Sequence, residues 1–346
     1  MLPAAASAIT ADLVGGPAVG ATVLGVHGPA VYLDVAGRIL PVVTADAVPL
    51  PTALRLAVRA GDVAGGAGAS GRGPWGVVVG ARVRVGDGRV VLPRTDLVVS
   101  RTWRPARVRR VPPDLRDEFG SGRPGSRFRT HGEVGDPVSV LLGDATSSAD
   151  ALLANGIRSL FSGLECGRGR PGSRFRTRDG ADAVALGVAA LLGRGPGLTP
   201  SGDDALAGAL LVTHALAAAA PLAGAVRARL GATTAVSAAL LDAAADGFAA
   251  RDVVTLVDAA LAGDDVVVAA ALPAVLALGH TSGRDLVTGI AAALAAVGTG
   301  AAHGTHSADG PDSSPGVPGA ATTRTRPADP APPPSAALTP TGRSAA

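Results

Sequence analysis

The sequence contains no lysine, because all 31 of its basic residues are arginine. A Walker A phosphate loop requires a Gly-Lys pair, pyridoxal phosphate is held as a Schiff base on lysine, and biotin is carried on a lysine side chain. The chain itself therefore offers no Walker A nucleotide site, no pyridoxal phosphate site and no biotinyl-lysine. A biotin carboxylase reaction would need a partner that carries the cofactor.

Cysteine and aromatic residues are also scarce. Cys166 is the only cysteine, which excludes an internal disulfide and a thiolate-rich zinc site and favours a reducing compartment, the cytoplasm. Aromatic residues make up 2% of the chain and hydrophobic residues 47%. We therefore expect a sizeable core built from alanine, valine and leucine.

Two apolar stretches lack the features of export or membrane segments. Residues 1–18 contain no early arginine and reach Asp12 before a long apolar core develops, so no secretory signal is expected. Residues 205–224 are rich in alanine, include His214 and Pro221, and have no flanking aromatic belt, which favours a buried helix over a membrane span. We expect no membrane partner.

Short valine-rich segments separated by glycine or proline fill the first third of the chain. Alternating apolar and polar side chains, as in Ala30–Val35, are typical of strands with one buried face. A Gly-Asp-Gly turn at 86–88 joins two such segments, and glycine-rich residues 61–73 predict a loop. The pattern predicts a small antiparallel β domain over residues 1–110, with strands at 22–27, 30–35, 38–43, 76–85, 89–92 and 97–103.

Arginine and glycine dominate residues 111–180, which we interpret as a linker with insertions and one helix at 148–161. Residues 101–130 carry nine arginines against three acids, a local net charge of +6, whereas the whole chain carries +3. An acidic partner could bind there.

A nine-residue segment, Gly122–Thr130, recurs identically as Gly169–Thr177. One extra copy is too little for a repeat architecture, so both copies are expected to be flexible insertions. The sharper alternative is a nucleic-acid contact, with arginine on phosphates and Phe128 or Phe175 stacked on a base. We consider nucleic acid the less favoured partner.

The rest of the chain divides into a helical domain and a tail. Helical periodicity and turn signals over residues 181–297 predict an alanine-rich domain, with helices at 182–192, 205–220, 222–230, 234–250, 251–262, 265–278 and 284–297. Residues 298–346 contain hardly any bulky apolar side chain, cannot offset the entropy of ordering, and are expected to be disordered. The expected fold class is α+β, with the β domain followed by a mainly α-helical domain.

The densest group of polar residues is the turn Gly193-Arg-Gly-Pro-Gly-Leu-Thr-Pro-Ser-Gly-Asp-Asp204, which precedes an apolar helix. Thr199 is expected to cap this helix with Pro200 as its first residue, or Ser201 caps it with Asp204 three residues on. A helix start presents unpaired N–H groups and a partial positive charge, which favour an anion. The acid pair would attract a divalent cation that bridges to the anion. A plain capped helix is the alternative.

Two further polar clusters follow. Thr233 and Thr234, with Ser237, lie at another predicted helix start, where either threonine could simply be the cap. Gly279-His-Thr-Ser-Gly-Arg-Asp285 is a second glycine-bracketed turn, in which Ser282 could likewise be a cap. Two such turns in one apolar domain lead us to predict a shared pocket.

Taken in order, the motif at 195–204, the hydroxyl residues at 233–237 and the turn at 279–285 resemble a bacterial family, sometimes labelled a carboxylase family, that includes the AllH-type subunit of oxamate carbamoyltransferase. The resemblance covers the helical domain well and the β half only in outline. Arg194 and Ala205 depart from the family pattern. The resemblance implies carbamoyl transfer involving carbamoyl phosphate and oxamate in purine and allantoin catabolism, within a multi-subunit complex that includes an acyl-CoA-synthetase-like protein.

On this resemblance we base a hypothesis for individual residues. Main-chain N–H groups of the turn would bind the phosphate, Asp203 and Asp204 would hold Mg²⁺ or orient the amide nitrogen, and His280 would move a proton between amide and phosphate. The alternative for His280 is a helix-end histidine without a catalytic role. The acceptor carboxylate would pair with arginine. The substrate- and phosphate-binding residues expected are Gly195, Gly197, Thr199, Ser201, Gly202, Thr234, Ser237, Thr281, Ser282, Arg284 and Asp285.

A second hypothesis belongs to another class of protein. In it, the chain is a non-catalytic subunit whose β half and alanine-rich helices dock a partner enzyme. The glycine-rich motif is then a structural turn.

Overall fold

The computed structural model describes residues 1–63, 75–112, 148–166 and 176–302. Most of the predicted loop at 61–73, the first nine-residue copy with Phe128, most of the second copy with Phe175, and the predicted tail beyond Ala302 lie outside these residues.

Eight strands close into a barrel in the N-terminal part of the chain. The strands are β1 (Leu2–Ser7), β2 (Val19–His27), β3 (Ala30–Val35), β4 (Arg38–Val43), β5 (Leu54–Leu56), β6 (Arg82–Gly86), β7 (Arg89–Val91) and β8 (Asp96–Trp103). Their order around the barrel is β1-β5-β4-β3-β2-β6-β7-β8. Two short helices, α1 (Ala11–Gly15) and α2 (Ala60–Val63), lie between strands.

The barrel corrects the expectation of a small antiparallel domain. The meander β2-β3-β4 is antiparallel as predicted, but β1 pairs with β8, and β4 with β5, in parallel. The missed strands are the ones that make the sheet mixed. β1 is built of Leu-Pro-Ala-Ala-Ala-Ser, a composition with low strand propensity, and β5 is too short to display a period of two.

The barrel interior is filled by valine and leucine around one large ring. Trp75 is fully buried, and its indole Nε1 donates a hydrogen bond to the carbonyl oxygen of Gly28 at 3.0 Å. Buried tryptophan requires such a partner for its N–H group. A single indole thus supplies bulk in a core that is otherwise aliphatic, as the low aromatic content predicts.

The C-terminal part is helical, as predicted. Its helices are α3 (Ser148–Cys166), α4 (Arg176–Leu191), α5 (Ser201–Ala215), α6 (Ala220–Arg227), α7 (Ala235–Ala245), α8 (Arg251–Ala262), α9 (Asp265–Leu276) and α10 (Ser282–Ala302), with a 3₁₀ turn at Leu230–Ala232. The predicted ends shift by several residues at α5, α7 and α10. α10 continues to Ala302, past Val297, where the sequence pattern predicted its end.

Glycine allows α5 and α10 to pack with their backbones in contact. A Cβ on Gly208 of α5 would lie 2.3 Å from the carbonyl oxygen of Leu286, and a Cβ on Gly289 of α10 would lie 2.0 Å from that of Ala205. No side chain fits at either position, so the axes approach closely. Buried leucines of α5 and Ile290 of α10 fill the surrounding core.

The segment after β8 lies on the helical half. The N–H of Val108 donates to the carbonyl oxygen of Gly247 at 2.9 Å, and the N–H of Val111 donates to that of Ala215 at 2.8 Å. In the described parts of the chain, no helix is both long enough and apolar enough to span a membrane.

Candidate functional site

The first turn, between α4 and α5, is shaped by glycines with positive φ. Gly193, Gly195 and Gly197 have φ of 73°, 121° and 96°, a region that side chains disfavour. A Cβ on Gly195 would lie 2.8 Å from the amide nitrogen of Ser201. Its absence keeps the space in front of that N–H group open.

The start of α5 corrects both predicted caps. Pro200 occupies the N-cap position without a side-chain cap, and Ser201 is the first helical residue. Backbone carbonyls replace the side-chain caps. The N–H of Gly202 donates to the oxygen of Arg194 at 2.9 Å, and the N–H of Asp203 donates to that of Pro200 at 2.9 Å.

Main-chain donors remain available in this turn. Across residues 1–63, 75–112, 148–166 and 176–302, no acceptor pairs with the N–H groups of Gly195, Gly197, Leu198, Thr199 and Ser201. Such a group of N–H donors beside the positive end of a helix favours an anion.

Asp203 anchors the turn to α7. Its Oδ1 accepts from the N–H of Gly193 at 2.7 Å, and its Oδ2 accepts from the Oγ of Ser237 at 2.7 Å and from the hydroxyl of Thr233. Its exposed fraction is 1%. Three donors occupy most of the lone pairs of this carboxylate, so its geometry is that of a positioning group.

The second predicted cluster joins the first through Thr234. The Thr234 hydroxyl accepts from the N–H of Ser237 at 3.0 Å, which makes Thr234 the cap of α7. The same hydroxyl donates to the carbonyl oxygen of Leu198. The cap of α7 therefore also fixes the end of the first turn, and Leu198 in turn approaches the barrel at Gly25 of β2.

The second turn, between α9 and α10, also meets the first. The Oγ1 of Thr199 and the Oγ of Ser282 are 2.9 Å apart and share a hydrogen bond. Ser282 is the first residue of α10 rather than its cap. The three predicted clusters therefore converge, since Thr199 contacts Ser282 while Asp203 contacts Thr233 and Ser237.

Other predicted residues of the second turn lie at its rim. His280 and Thr281 are exposed. The guanidinium of Arg284 forms an ion pair with Asp150 of α3, with Nη2 and Oδ2 2.6 Å apart. Asp150 is buried, so this pair ties α10 to α3 in the way that Asp203 ties α5 to α7.

Two buried carboxylates differ from Asp203 in that one oxygen of each has no hydrogen-bond partner in the described chain. Asp204 and Asp285 are 8% and 6% exposed, and the Oδ2 atom of each is buried without a hydrogen-bond partner among the described residues. Burial raises the pKa of Asp204 to about 7, the charges of Asp285 and Asp203 add to the shift, and the hydroxyls of Ser282 and Thr199 oppose it. Asp204 therefore titrates near neutral pH.

A short internal repeat explains this arrangement and was missed in the sequence. Residues 201–208 and 282–289 both read Ser-Gly-x-Asp-x-x-x-Gly. In each copy the last glycine contacts the fifth residue of the other copy, because Gly208 meets Leu286 and Gly289 meets Ala205. The two helix starts thus make reciprocal contacts with each other. Asp204 and Asp285 occupy equivalent positions, and His280 is equivalent to Thr199.

Residues 191–294 match the family described as oxamate carbamoyltransferase subunit AllH. The resemblance inferred from the motif is confirmed over that segment, which runs from the end of α4 into α10 and includes all three polar clusters. No solved structure matches the chain.

Proposed function

From the AllH-family segment at residues 191–294, we propose that this chain is a subunit of an oxamate carbamoyltransferase-like enzyme. Its setting would be cytoplasmic purine and allantoin catabolism. Its partners would be the other subunits of the complex, among them an acyl-CoA-synthetase-like protein. The observation that carries the proposal is the hydrogen bond between Thr199 and Ser282, which joins the two glycine-bracketed turns.

The phosphate of carbamoyl phosphate would bind in the first turn. Unpaired N–H groups from Gly195 to Ser201 support this assignment, because they are donors without protein acceptors in the described chain. The hydroxyls of Thr199 and Ser282 would add donors at the edge of the same site. As the phosphate leaves the carbamoyl carbon, these donors would stabilise the growing negative charge.

The amide of oxamate would face the buried acids. In the transfer, the amide nitrogen bonds to the carbamoyl carbon, the bond from that carbon to the phosphate oxygen breaks, and the amide loses a proton. Asp204, buried beside the hydroxyls of Thr199 and Ser282, would orient the amide nitrogen. His280, exposed at the rim, would take up the proton and pass it to phosphate or solvent. Arg284, oriented by Asp150, would bind the oxamate carboxylate.

Asp203 would position these groups instead of reacting. Its three hydrogen bonds support this role. Gly202 and Thr234 would likewise act through the shape of the turn. Mg²⁺ would be the metal cofactor, since a dianionic substrate beside buried carboxylates needs a neutralising charge.

The test is a carbamoyl-transfer assay on the chain purified with its partner subunits. Asp204→Asn and His280→Ala are each expected to lower kcat by about 100-fold. Asp252→Asn, which removes an exposed carboxylate from α8, is the matched control and should leave the rate unchanged. Full activity in both site variants would remove this site from the mechanism.

The docking hypothesis remains the second candidate. Asp203 and Arg284 both contact the chain's own side chains, which a purely structural turn also requires. Calorimetry of the isolated chain with carbamoyl phosphate separates the two hypotheses. Heat that disappears in Thr199→Val supports the binding site, whereas no heat with wild type supports docking.

A further inference from the structure

In the acid pair at the crossing of α5 and α10, the contacts described so far leave one oxygen of each carboxylate without a partner. Asp204 and Asp285 each bury an Oδ2 atom that accepts no hydrogen bond from the described residues. An unpaired buried carboxylate is costly. Two of them at equivalent positions of one local repeat indicate a shared ligand.

The two carboxylates occupy equivalent positions in the two crossing helices. Asp204 is the fourth residue of α5 and Asp285 the fourth of α10. Their helices touch at the fifth and eighth residues through Gly208 and Gly289. The charge of Asp285 acts on Asp204, which also places the two groups in one electrostatic environment.

We propose that the Oδ2 atoms of Asp204 and Asp285 together ligate one Mg²⁺-class divalent cation at the crossing of α5 and α10. In this site Asp285, and not Asp203, is the second carboxylate ligand. Asp203 already accepts three hydrogen bonds, whereas the Oδ2 atom of Asp285 has no hydrogen-bond partner among the described residues.

The chemistry of the surrounding donors selects the class of metal. The groups around Asp204 are hydroxyls, those of Thr199 and Ser282, and oxygen donors favour a hard cation over zinc or copper. Ca²⁺ takes six to eight oxygen ligands, whereas Mg²⁺ is commonly held by one or two carboxylates with water and a substrate phosphate. Two carboxylate oxygens with neighbouring hydroxyls therefore fit Mg²⁺ better than Ca²⁺.

The phosphate ligand would come from the neighbouring turn. The N–H groups from Gly195 to Ser201 and the hydroxyl of Thr199 lie on the same segment that leads into Asp204. The identity of that phosphate as carbamoyl phosphate rests on the proposed function. The cation itself does not, because it is defined by the two carboxylates.

Binding is tested on the full chain after removal of metal ions, with Mn²⁺ as a paramagnetic probe and no substrate or partner subunit present. Free Mn²⁺ is measured by electron paramagnetic resonance, and Mg²⁺ is then added as a competitor. We expect one Mn²⁺ per chain, displaced by Mg²⁺, with at least a tenfold weaker affinity in both Asp204→Asn and Asp285→Asn. Asp252→Asn should bind as wild type does.

A second measurement guards against a folding defect. Mg²⁺ should raise the unfolding midpoint of wild type and of Asp252→Asn, because a ligand that binds only the folded state stabilises it. It should leave the midpoints of the two site variants unchanged. Both site variants should fold without metal, since each removes a buried charge.

The outcomes separate this inference from the proposed function. Absence of Mn²⁺ binding at millimolar concentration, or equal binding in Asp285→Asn and wild type, overturns the cation site even if carbamoyl transfer is observed. One bound Mn²⁺ lost in both variants supports the site even if the complex transfers no carbamoyl group.

Discussion

The starts of α5 and α10 share one sequence pattern but differ at its third residue. Both begin Ser-Gly-x-Asp, and in both the second residue is a glycine whose Cβ would lie 2.0 Å from a carbonyl oxygen of the preceding helix, that of Leu191 or Val275. Both therefore fold back tightly on the helix before them. The third residue is Asp203 in α5 and Arg284 in α10.

Because the third residue differs, the two helix starts bind different neighbouring elements. Asp203 is buried and accepts from hydroxyls next to α7, whereas the side chain of Arg284 is 51% exposed and pairs with Asp150 of α3. The side chain at the third position fixes each helix start to a neighbouring element. Because Asp203 is acidic and Arg284 is basic, the two helix starts bind different partners. The fourth position keeps the same carboxylate in both, Asp204 and Asp285, which suggests that the repeated residue is the one with a chemical task.

The largest expected effect comes from separating the two helices. In Gly289→Ala the added Cβ would lie 2.0 Å from the carbonyl oxygen of Ala205, a backbone atom that cannot rotate away. We expect a loss of about 3 kcal/mol in the free energy of unfolding, measured by urea denaturation.

The matched control for this variant is Gly224→Ala in α6. Nothing lies within 4 Å of a Cβ at Gly224, so alanine there should stabilise by about 0.5 to 1 kcal/mol through its better helix propensity. Equal effects of the two substitutions would contradict close backbone packing between α5 and α10.

A smaller difference is expected between the two anchors. Asp203→Ala leaves the hydroxyls of Thr233 and Ser237 and the N–H of Gly193 without their acceptor, and should cost about 3 kcal/mol or slightly less. Arg284→Ala breaks an ion pair whose arginine is half in solvent, and should cost about 1 kcal/mol. Urea denaturation of both variants in one buffer measures the comparison. A larger loss in Arg284→Ala would reverse the assignment of the stronger anchor.

Much of this arrangement could be predicted from the sequence, because its signals are local. The meander β2-β3-β4 and the helix Arg251–Ala262 appear with the predicted bounds or within three residues of them, since valine alternation and glycine boundaries act over short distances. The similar composition of the two turns led us to expect that they lie together, and the hydrogen bond between Thr199 and Ser282 shows that they meet. The shared pocket stays a prediction.

The missed features depend on contacts between distant residues. β1 and β5 are held as strands by pairing with their neighbours in the closed barrel, β8 and β4 as well as each other. Their own composition does not favour strands. The ion pair between Arg284 and Asp150 was not predicted, because Asp150 lies far away in the sequence. The shared pattern of 201–208 and 282–289 is visible in the sequence. Only the structure shows that its last glycines, Gly208 and Gly289, are the contacts between the two helices.

The smallest expected effect concerns the far end of the same two helices. The fourteenth residue of α5 is His214, whereas the fourteenth of α10 is Ala295. His214 is buried, its Nδ1 is 3.0 Å from the carbonyl oxygen of Ala245, and its Nε2 is buried without a partner among the described residues. Burial lowers the pKa of His214 below its ordinary value of 6.5, and the charges of Arg107 and Arg110 act in the same direction.

The lowered pKa of His214 determines how the stability of the protein changes with pH. A histidine with a lowered pKa in the folded state binds its proton more readily when unfolded, so its contribution is fully present above pH 6.5 and is lost as the pH falls below that value. In His214→Asn the amide nitrogen can still donate to Ala245 but carries no titrating group. Between about pH 7.5 and about pH 5.5, wild type should therefore lose more unfolding free energy than His214→Asn, as measured by urea denaturation. Equal losses of unfolding free energy in wild type and His214→Asn would mean that protonation of His214 does not destabilise the folded state. The difference between His214 in α5 and Ala295 in α10 would then be one of shape alone.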